Sequence, residues 1–533
     1  YYVGDASVYL FGKNGEAPND SILYKNLNIH YYDKLQVRPN MLYRWMNYQQ
    51  FVRSKQMRAS NRTRLYSQYR QEQVQEKLSQ LGIFSYMDMQ YAPRDTTAAC
   101  DTLDVTMQAT FAKPLDAELE LNVVTKSNDQ TGPGASFGVT RNNVFGGGES
   151  WNVKLKGSYE WQTGGGEKSS LMNSWEMGLS TSLTFPRVVF PHLGKREFDF
   201  PATTTFRLYI NQLNRAKYYK LLSFGGNATY DFQPSRTSRH SITPFKLTFN
   251  VLQHQSEDFK EIAEANPALY VSLRNQFIPA MEYTYTYDNA SGRRIKNPIW
   301  WQSTVTSAGN ITSLIYRAFG KPFNEEDKSL LGAPFAQFVK LNTELRHLWN
   351  IDKNNAIASR MAVGALFTYG NATIAPYSEQ FYVGGANSIR AFTVRSVGPG
   401  GYHPEEGKYS YLDQTGTFRF EANVEYRFRI FKSFWGATFL DAGNVWLLRK
   451  DRKLLADGKE ARPNSQLRLK TFPKQIALGT GVGIRYDMDI LVFRLDFGIP
   501  LHLPYDTERS GYYNVTGAFF KNLGIHFAIG YPF

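Results

Sequence analysis

From about residue 115 the chain alternates between apolar and polar positions. In residues 418–430, Phe418, Phe420, Ala422, Val424, Tyr426, Phe428 and Ile430 interleave with Arg419, Glu421, Asn423, Glu425, Arg427 and Arg429. One face of such a strand is wholly apolar and the other wholly polar. Leu491, Phe493, Leu495, Phe497 and Ile499 likewise oppose Val492, Arg494, Asp496 and Gly498. At the end of the chain, Leu523, Ile525, Phe527, Ile529, Tyr531 and Phe533 oppose Gly524, His526, Ala528, Gly530 and Pro532. Runs of this kind, parted by turn clusters, predict strands at 118–126, 135–141, 151–160, 173–185, 204–214, 218–230, 242–252, 277–287, 300–308, 335–348, 356–369, 417–430, 434–445, 475–487, 491–500 and 522–533. About sixteen strands at about 26 residues each leave room for a tilted spanning strand of about ten residues and its connection. A soluble sandwich also alternates. Its apolar face rarely carries this much aromatic bulk over so many strands while the other face keeps charges. With lipid on the apolar side every backbone group must be bonded, so the sheet has to close. The expected fold is an all-β transmembrane barrel of about 16 antiparallel strands over residues 114–533.

Residues 1–113 read differently. Strands are predicted at 2–10 and 27–32, with a turn-like stretch of Gly, Asn, Pro and Asp at 12–20 between them. A helix is expected over 40–51, after Pro39. A second is expected over 63–81, where Leu65, Tyr69, Val74, Leu78 and Leu81 recur near helical spacing and Gly82 marks the stop. Strands at 83–91 and 103–111 follow, completing a small α+β domain.

Composition narrows the class. Aromatics make up 15% of the 533 residues, with 34 Tyr and 37 Phe, yet mean hydropathy is −0.43. No run of 18 apolar residues occurs, which excludes a helical membrane protein. Aromatic richness at low hydropathy fits a barrel whose alternate residues face water. It fits a large soluble β-protein equally well, so the alternation decides between them. The net charge of +14 is spread along the chain and forms no block. Basic side chains at membrane rims, facing anionic headgroups, are the expected use, and no nucleic acid is expected. The single Cys100 excludes an intramolecular disulfide and a cysteine metal cluster. The chain opens at Tyr1 without Met or a signal peptide, as a processed or trimmed product would.

Chemistry-bearing motifs are few. Gly479-Thr480-Gly481-Val482-Gly483 resembles a phosphate cradle, but no strand-to-helix turn follows it. Its glycines instead strip one face of a strand, as if something else occupied the interior. The eight His show no metal spacing, and no hydrolase triad is evident. No catalytic residue, metal or cofactor is expected, and the chain does not read as an enzyme. The unusual stretch is 381–402, FYVGGANSIRAFTVRSVGPGGY, within a long connection at 375–412. A glycine-rich loop with an arginine set among apolar residues suits a segment folded into an interior. The polar strand faces offer Glu421, Glu425 and Asp441 as carboxylates for Arg390. A bidentate pair is possible inside a barrel. If buried, removal of one partner would cost roughly 3–5 kcal/mol.

These residues carry a family resemblance. Ser388-Ile389-Arg390-Ala391-Phe392 resembles the Val-Arg-Gly-Phe/Tyr motif in the sixth extracellular loop of the BamA/TamA superfamily, with Ala391 where Gly is usual. Residues 420–428 (FEANVEYRF), 439–446 (FLDAGNVW) and 481–485 (GVGIR) look like the motifs that follow it, in the family order. The order of elements in 1–113, with Leu81-Gly82-Ile83-Phe84 leading into a strand, resembles a membrane-proximal POTRA domain. The resemblance covers essentially the whole chain. It implies a bacterial outer-membrane location with the POTRA domain in the periplasm. It implies a lumenal loop over 375–412, locked by Arg390 against Glu425 and Asp441, with Gly384, Gly385, Ser388, Ile389 and Phe392 as the loop motif. It implies a lateral gate between first and last barrel strands, at Leu119, Leu121, Val123, Gly524, Gly530 and Phe533. Gly524 and Gly530 would weaken pairing there, or simply leave room for neighbours. The implied activity is outer-membrane protein assembly, insertion or translocation without bond chemistry. Residues 125–145 and 481–500 look like the TamA-like branch of Bacteroidetes-type bacteria. A BamA core subunit and a two-partner secretion transporter stay open, as does a passive porin-like channel outside the family. The implied partners are unfolded outer-membrane protein clients and the lipid bilayer, with an inner-membrane-anchored TamB-like protein or accessory lipoproteins as further ones.

Overall fold

The structure is a computed structural model. It describes residues 1–25, 27–46, 65–97, 99–125, 130–162, 174–191, 201–215, 219–257, 260, 275–291, 295–323, 328–330, 332–371, 375–404, 414–450, 462–488, 491–519 and 522–533. The N-terminal region holds strands β1 (Tyr2–Phe11), β2 (Asp20–Tyr24) and β3 (Leu27–Tyr31), helices α1 (Pro39–Met46) and α2 (Gln68–Gln80), and strands β4 (Phe84–Pro93) and β5 (Thr102–Phe111). They form a five-stranded sheet in the order β2-β3-β1-β5-β4. The sheet packs under the helices through Val8, Leu10, Ile29, Leu42, Val74, Leu78 and Met107. Strict alternation of buried and half-exposed residues along β5 follows from having the helices on one side only.

Two expectations change in this region. Strand β2 lies partly within the stretch read as a turn. It is a short edge strand whose Ile22 and Leu23 face outward, so it leaves no buried periodicity to read. Leu65 is not part of the helix: it bridges Tyr2 in the sheet, and α2 begins at Gln68. Of the expected first helix, Pro39–Met46 is helical, and its continuation to 51 lies outside the described residues. Gly82, at φ +66°, turns the chain out of α2 so that Ile83 and Phe84 enter the core.

The rest of the chain forms one sixteen-stranded antiparallel sheet. Its strands are β6 (Leu115–Thr125), β7 (Gln130–Asn142), β8 (Ser150–Gln162), β9 (Ser174–Phe185), β10 (Ala202–Arg215), β11 (Tyr219–Phe232), β12 (Ser238–Gln255), β13 (Gln276–Asp288) and β14 (Ile299–Ala308). A helix α3 (Asn310–Ala318) and a small hairpin, β15 (Ser329–Leu330) and β16 (Ala333–Pro334), interrupt the series. It resumes with β17 (Phe338–Asn350), β18 (Asn355–Thr368), β19 (Phe418–Phe431), β20 (Phe434–Trp446), β21 (Ala477–Asp487), β22 (Val492–His502) and β23 (Gly524–Ile529). Each strand pairs with its neighbours in this order, from β6 at one end to β23 at the other. Among the described residues, β6 and β23 share no ladder with each other. No described helix is long and apolar enough to cross a membrane.

The alternation sorts as the sequence implies. Val424, Tyr426, Phe428 and Ile430 of β19 are exposed on the outer face, while Glu421, Asn423 and Glu425 are buried on the inner one. The last strand departs from expectation. It ends at Ile529, because Gly530 adopts φ +87° and its N–H bonds to the Val492 carbonyl. Tyr531 and Phe533 therefore leave the outer face and turn to Arg427, whose guanidinium lies 4.2 Å from the Tyr531 ring centre.

The N-terminal domain meets the sheet at the β7–β8 turn. The Arg38 N–H donates to the Gly146 carbonyl at 2.7 Å, and the Asn143 amide donates to the Gln36 carbonyl at 2.8 Å. That contact fixes one rim of the sheet as the near rim. Connections at the ends of odd-numbered sheet strands, counted from β6, lie at the far rim. The β18–β19 connection is one of them.

Candidate functional site

The β18–β19 connection does not stay at the rim. Phe381, Val383, Ile389, Ala391, Phe392 and Val397 form one buried cluster with Ile278 of β13, Ala308 of β14, Phe338 of β17, Leu366 of β18, Val445 of β20 and Ala477 of β21. Strands so far apart in the sheet share this cluster, so the sheet curls around the loop. Apolar burial holds the loop in place, and its polar tip goes deeper.

The tip is built by local backbone geometry. Gly384 and Gly385 adopt φ +100° and +93°, and a side chain at Gly384 would run into the Thr393 carbonyl. The Gly385 N–H donates to the Phe392 carbonyl at 2.8 Å, and Ser388 and Phe392 close short turns on Gly385 and Ile389. The Ser388 hydroxyl accepts from the Gly384 N–H at 3.0 Å and donates to Glu421 Oε2 at 2.5 Å. Asn423 donates to the Ser388 carbonyl at 2.7 Å. These bonds aim Arg390 at the inner wall.

Arg390 is fully buried and fully engaged. Asp441 Oδ2 accepts from its backbone N–H at 3.0 Å and from Nε at 2.8 Å, and Oδ1 accepts from Nη2 at 2.9 Å. Asp441 also accepts from Asn423 at 2.9 Å. The other guanidinium nitrogen, Nη1, donates to Glu425 Oε2. The Phe439 ring centre lies 3.5 Å from the guanidinium carbon. The Arg390 carbonyl accepts from His526 Nε2 of β23 at 2.7 Å. One loop residue thus ties together β19, β20 and the last strand. The geometry on Asp441 is the two-pronged form in which arginine outperforms lysine.

The cluster is larger than the sequence suggested. Glu425 also accepts from Arg485 at 3.0 Å and from Arg427 at 2.7 Å, so three guanidinia share one carboxylate. Arg485 reaches Asp496 at 2.6 Å, Arg494 lies 3.5 Å from Asp496, and Arg494 donates to Asn387 of the loop. On the other side, Glu421 meets Arg360 at 3.1 Å and Arg419 at 3.2 Å, and Arg360 meets Glu344 at 3.1 Å. Buried charges persist only when paired in this way. Arg427, Arg485, Arg494, Asp496 and His526 were legible as inward-facing by parity. Their meeting was not, because register and curl decide it.

The glycine wall has a defined occupant. A side chain at Gly479 would collide with the Ala391 methyl, and one at Gly498 would meet the Arg390 carbonyl and Ala391 Cα. Ala391, the departure from the usual motif, fits because Gly479 leaves its methyl a place. Gly524 also stands beside the Arg390 carbonyl, where a Cβ would lie 3.2 Å away.

The expected gate residues are dispersed. Leu119 and Leu121 are exposed on the outer face of β6. Val123 is in β6, but its side chain lies outside the described residues. Gly524 opens β23, while Gly530 and Phe533 lie beyond its end. Part of the 375–412 connection, from 405 onward, is also outside the described residues. Among the described residues, no group of His, Cys, Asp and Glu is placed to hold a metal ion.

Comparison with known proteins matches residues 143–533 to the model of the Omp85 superfamily domain. The fold is similar to the crystal structure of BamA from Haemophilus ducreyi lacking POTRA domains 1–3. That likeness has 12% identity and a TM-score of 0.57, over 96% of this chain and 88% of the other. CdiB from Acinetobacter baumannii matches with 12% identity and a TM-score of 0.46, over 86% of this chain and 68% of that one. CdiB from Escherichia coli matches with 11% identity and a TM-score of 0.45, over 95% and 88%.

Proposed function

The chain belongs to the Omp85 superfamily, and on that premise we propose that it inserts other outer-membrane proteins into the bilayer or passes them across it. Members of this family are outer-membrane β-barrel proteins, and the apolar outer face and charged inner face of the sheet suit that setting.

The observation that carries the proposal is the state of the last strand. β23 pairs with β22 over only six residues, Phe493–Gly498 against Ile529–Gly524, and shares no ladder with β6 among the described residues. Its inner side is fastened to the loop through His526 and Arg390. A short strand with an unpaired edge, steadied from within, is suited to accept an incoming strand by edge pairing. Leu119 and Leu121, together with Gly524, mark the two sides of this gate. Arg390, Glu425 and Asp441 lock the loop that supports it. Residues 1–113 act as a periplasmic POTRA domain, where an inner-membrane-anchored TamB-like protein or accessory lipoproteins would dock. Within the family we favour the TamA-like activity, on the resemblance of residues 125–145 and 481–500. The fold likeness to BamA favours a barrel-assembly core subunit as a second reading. Co-purification separates the two: stable accessory lipoproteins support the second, and an inner-membrane-anchored partner the first.

The test is a lock across the seam. In a Cys100→Ser background, paired cysteines in β6 and β23, such as Leu121→Cys with Phe527→Cys, are cross-linked with a spacer reagent that carries a cleavable disulfide. Insertion of an unfolded client barrel into proteoliposomes should fall at least tenfold and return on reduction. Undiminished insertion by the locked protein removes the gate from the mechanism.

A further inference from the structure

Helix α3 is built inside out for a helix in water. It follows β14, the ninth strand of the sheet, and so lies at the rim away from the N-terminal domain. Thr312 and Ser313 are buried, while Ile311, Leu314 and Ile315 are 49%, 59% and 52% exposed. Phe319, just past the last turn, is 84% exposed. At about 100° per residue Ile311, Leu314 and Ile315 fall in one arc, with Ser313 on the opposite side. A surface helix facing solvent shows the reverse sorting.

The orientation is fixed by polar bonds on the inward side. The Ser313 hydroxyl donates to Gln337 Oε1 at 2.9 Å, and the Tyr369 hydroxyl donates to Asn310 Oδ1 at 2.8 Å. Rolling the helix to hide its isoleucines would leave buried Gln337 short of a partner. The helix is also packed onto the outer wall of the sheet through aromatic contacts. Tyr316 packs on Phe335 with ring centres 6.0 Å apart, and the Phe335 backbone bridges Phe277 of β13. Phe277 lies 5.9 Å from Phe249, which lies 5.2 Å from Phe224. These last three sit on the outer face of β11, β12 and β13. An aromatic path thus runs from the outer wall up to the helix.

We infer that α3 is a membrane-interface helix, with Ile311, Leu314, Ile315 and Phe319 seated among lipid acyl chains. Continuity with the outer wall names the occupant as lipid. Arg317 and Lys321, exposed beside the arc, stand at headgroup depth, where a phosphate would meet them. The inference rests on the membrane-barrel reading and extends it to a connection that the strands alone do not place in the bilayer.

The experiment uses the full chain with Cys100→Ser, carrying Ile315→Cys or Phe319→Cys with an environment-sensitive dye. Lys353→Cys, in the near-rim turn, is the water-exposed control. The proteins are folded into vesicles of phosphatidylethanolamine and phosphatidylglycerol, and folding is confirmed by heat-dependent migration on a gel. Dye at 315 and 319 should emit to the blue of dye at 353. It should be quenched several-fold more by acyl-chain spin-labelled lipid than by iodide, with the opposite preference at 353. A folded, vesicle-embedded protein whose dyes at 315 and 319 are quenched by iodide as fully as at 353 overturns the inference. Failure of the chain to enter vesicles in a folded form would instead overturn the membrane reading itself.

Discussion

The two halves of the sixteen-stranded sheet carry charge on the same inward parity and hold it in opposite ways. On β6, β8 and β9, Lys154 meets Glu120 at 3.4 Å and Lys156 meets Glu176 at 2.6 Å, with all four side chains 38–50% exposed. On β19 to β22, Glu425, Asp441, Arg485, Arg494 and Asp496 are at most 1% exposed. Inward-facing charges occur in both halves, as at Glu118, Glu120, Lys154 and Lys156 in one and at Glu425, Arg427, Arg494 and Asp496 in the other. The loop, described over 375–404, makes the difference. Where it fills the interior, ion pairs lose water and depend on one another. Where it is absent, they stay wet and nearly independent.

The sharpest way to break this contrast is to delete one charge from each half. Asp441→Ala leaves the buried Arg390 Nε, Nη2 and backbone N–H without their acceptor, and should weaken loop seating by roughly 3–5 kcal/mol. Glu120→Ala should cost less than about 1 kcal/mol. Trypsin cleavage near Arg395, read with the thermal midpoint of the folded sheet, measures both. Arg390→Ala should match Asp441→Ala in loop cleavage. Comparable effects from Asp441→Ala and Glu120→Ala would mean that the loop adds nothing to the charged wall.

A second contrast uses glycine. Gly479→Ala sets one methyl against another in a packed contact and should cost about 1–3 kcal/mol. Gly138→Ala, on the inner face of β7, would find its nearest neighbour at 3.9 Å and should stay within about 0.5 kcal/mol of wild type. The pairing of Ala391 with Gly479 is specific enough to be reversed. Ala391→Gly introduced with Gly479→Ala should recover most of the lost stability, measured by urea unfolding. An additive double variant would separate the two positions.

Much of this was legible in the sequence because a strand's parity survives any fold. Alternation located the sixteen strands and named Glu421, Glu425 and Asp441 as inward-facing, while the glycine-rich loop around Arg390 pointed to a segment folded into the interior. It could not rank the two carboxylates of β19. Glu421 and Glu425 share one face, yet Glu421 takes Ser388 while Glu425 takes Arg390. That choice depends on how deep the loop tip sits, which the Gly384 turn and the apolar cluster set together. The parity rule also failed at the chain's end. It carried Tyr531 and Phe533 outward, whereas the positive φ at Gly530 ends the ladder and Arg427 offers their rings a face. In the N-terminal domain β2 was missed for want of buried residues. Ala391 looked anomalous only because its partner is 88 residues away.

The third contrast concerns the last strand. His526→Ala removes the bond from β23 to the Arg390 carbonyl, a loss of about 1 kcal/mol. Hydrogen exchange should quicken in β23 and leave β9 unchanged. Equal quickening in both strands would make His526 a general packing residue with no particular tie to the seam.

The smallest effect tests whether exposure alone explains the weak half, using an ion pair outside the membrane-spanning sheet. In the N-terminal domain, Arg94 meets Asp104 at 2.7 Å and Asp5 at 2.6 Å, and all three side chains are open to solvent. The Arg94 side chain, hydrogen-bonded to the Asp104 carboxylate, holds that group below its ordinary pKa. Burial opposes the shift, and the Asp5 backbone N–H adds to it. A carboxyl whose folded pKa is depressed contributes stability above its unfolded value, near 4. That contribution fades as pH falls through the folded value. The domain should therefore hold steady from neutrality to about pH 5 and lose less than about 1 kcal/mol below that through this group. Asp104→Asn should flatten that part of the profile, and 0.5 M salt should flatten it in the wild type. The readout is hydrogen exchange of β5 amides, corrected for the intrinsic rate at each pH. If salt erases the contribution of Asp104 and leaves the loop seating measured for Asp441→Ala unchanged, solvent access is what separates the two kinds of pair. A salt-sensitive loop lock would mean that water reaches the buried cluster, and the contrast between the halves of the sheet would be one of degree.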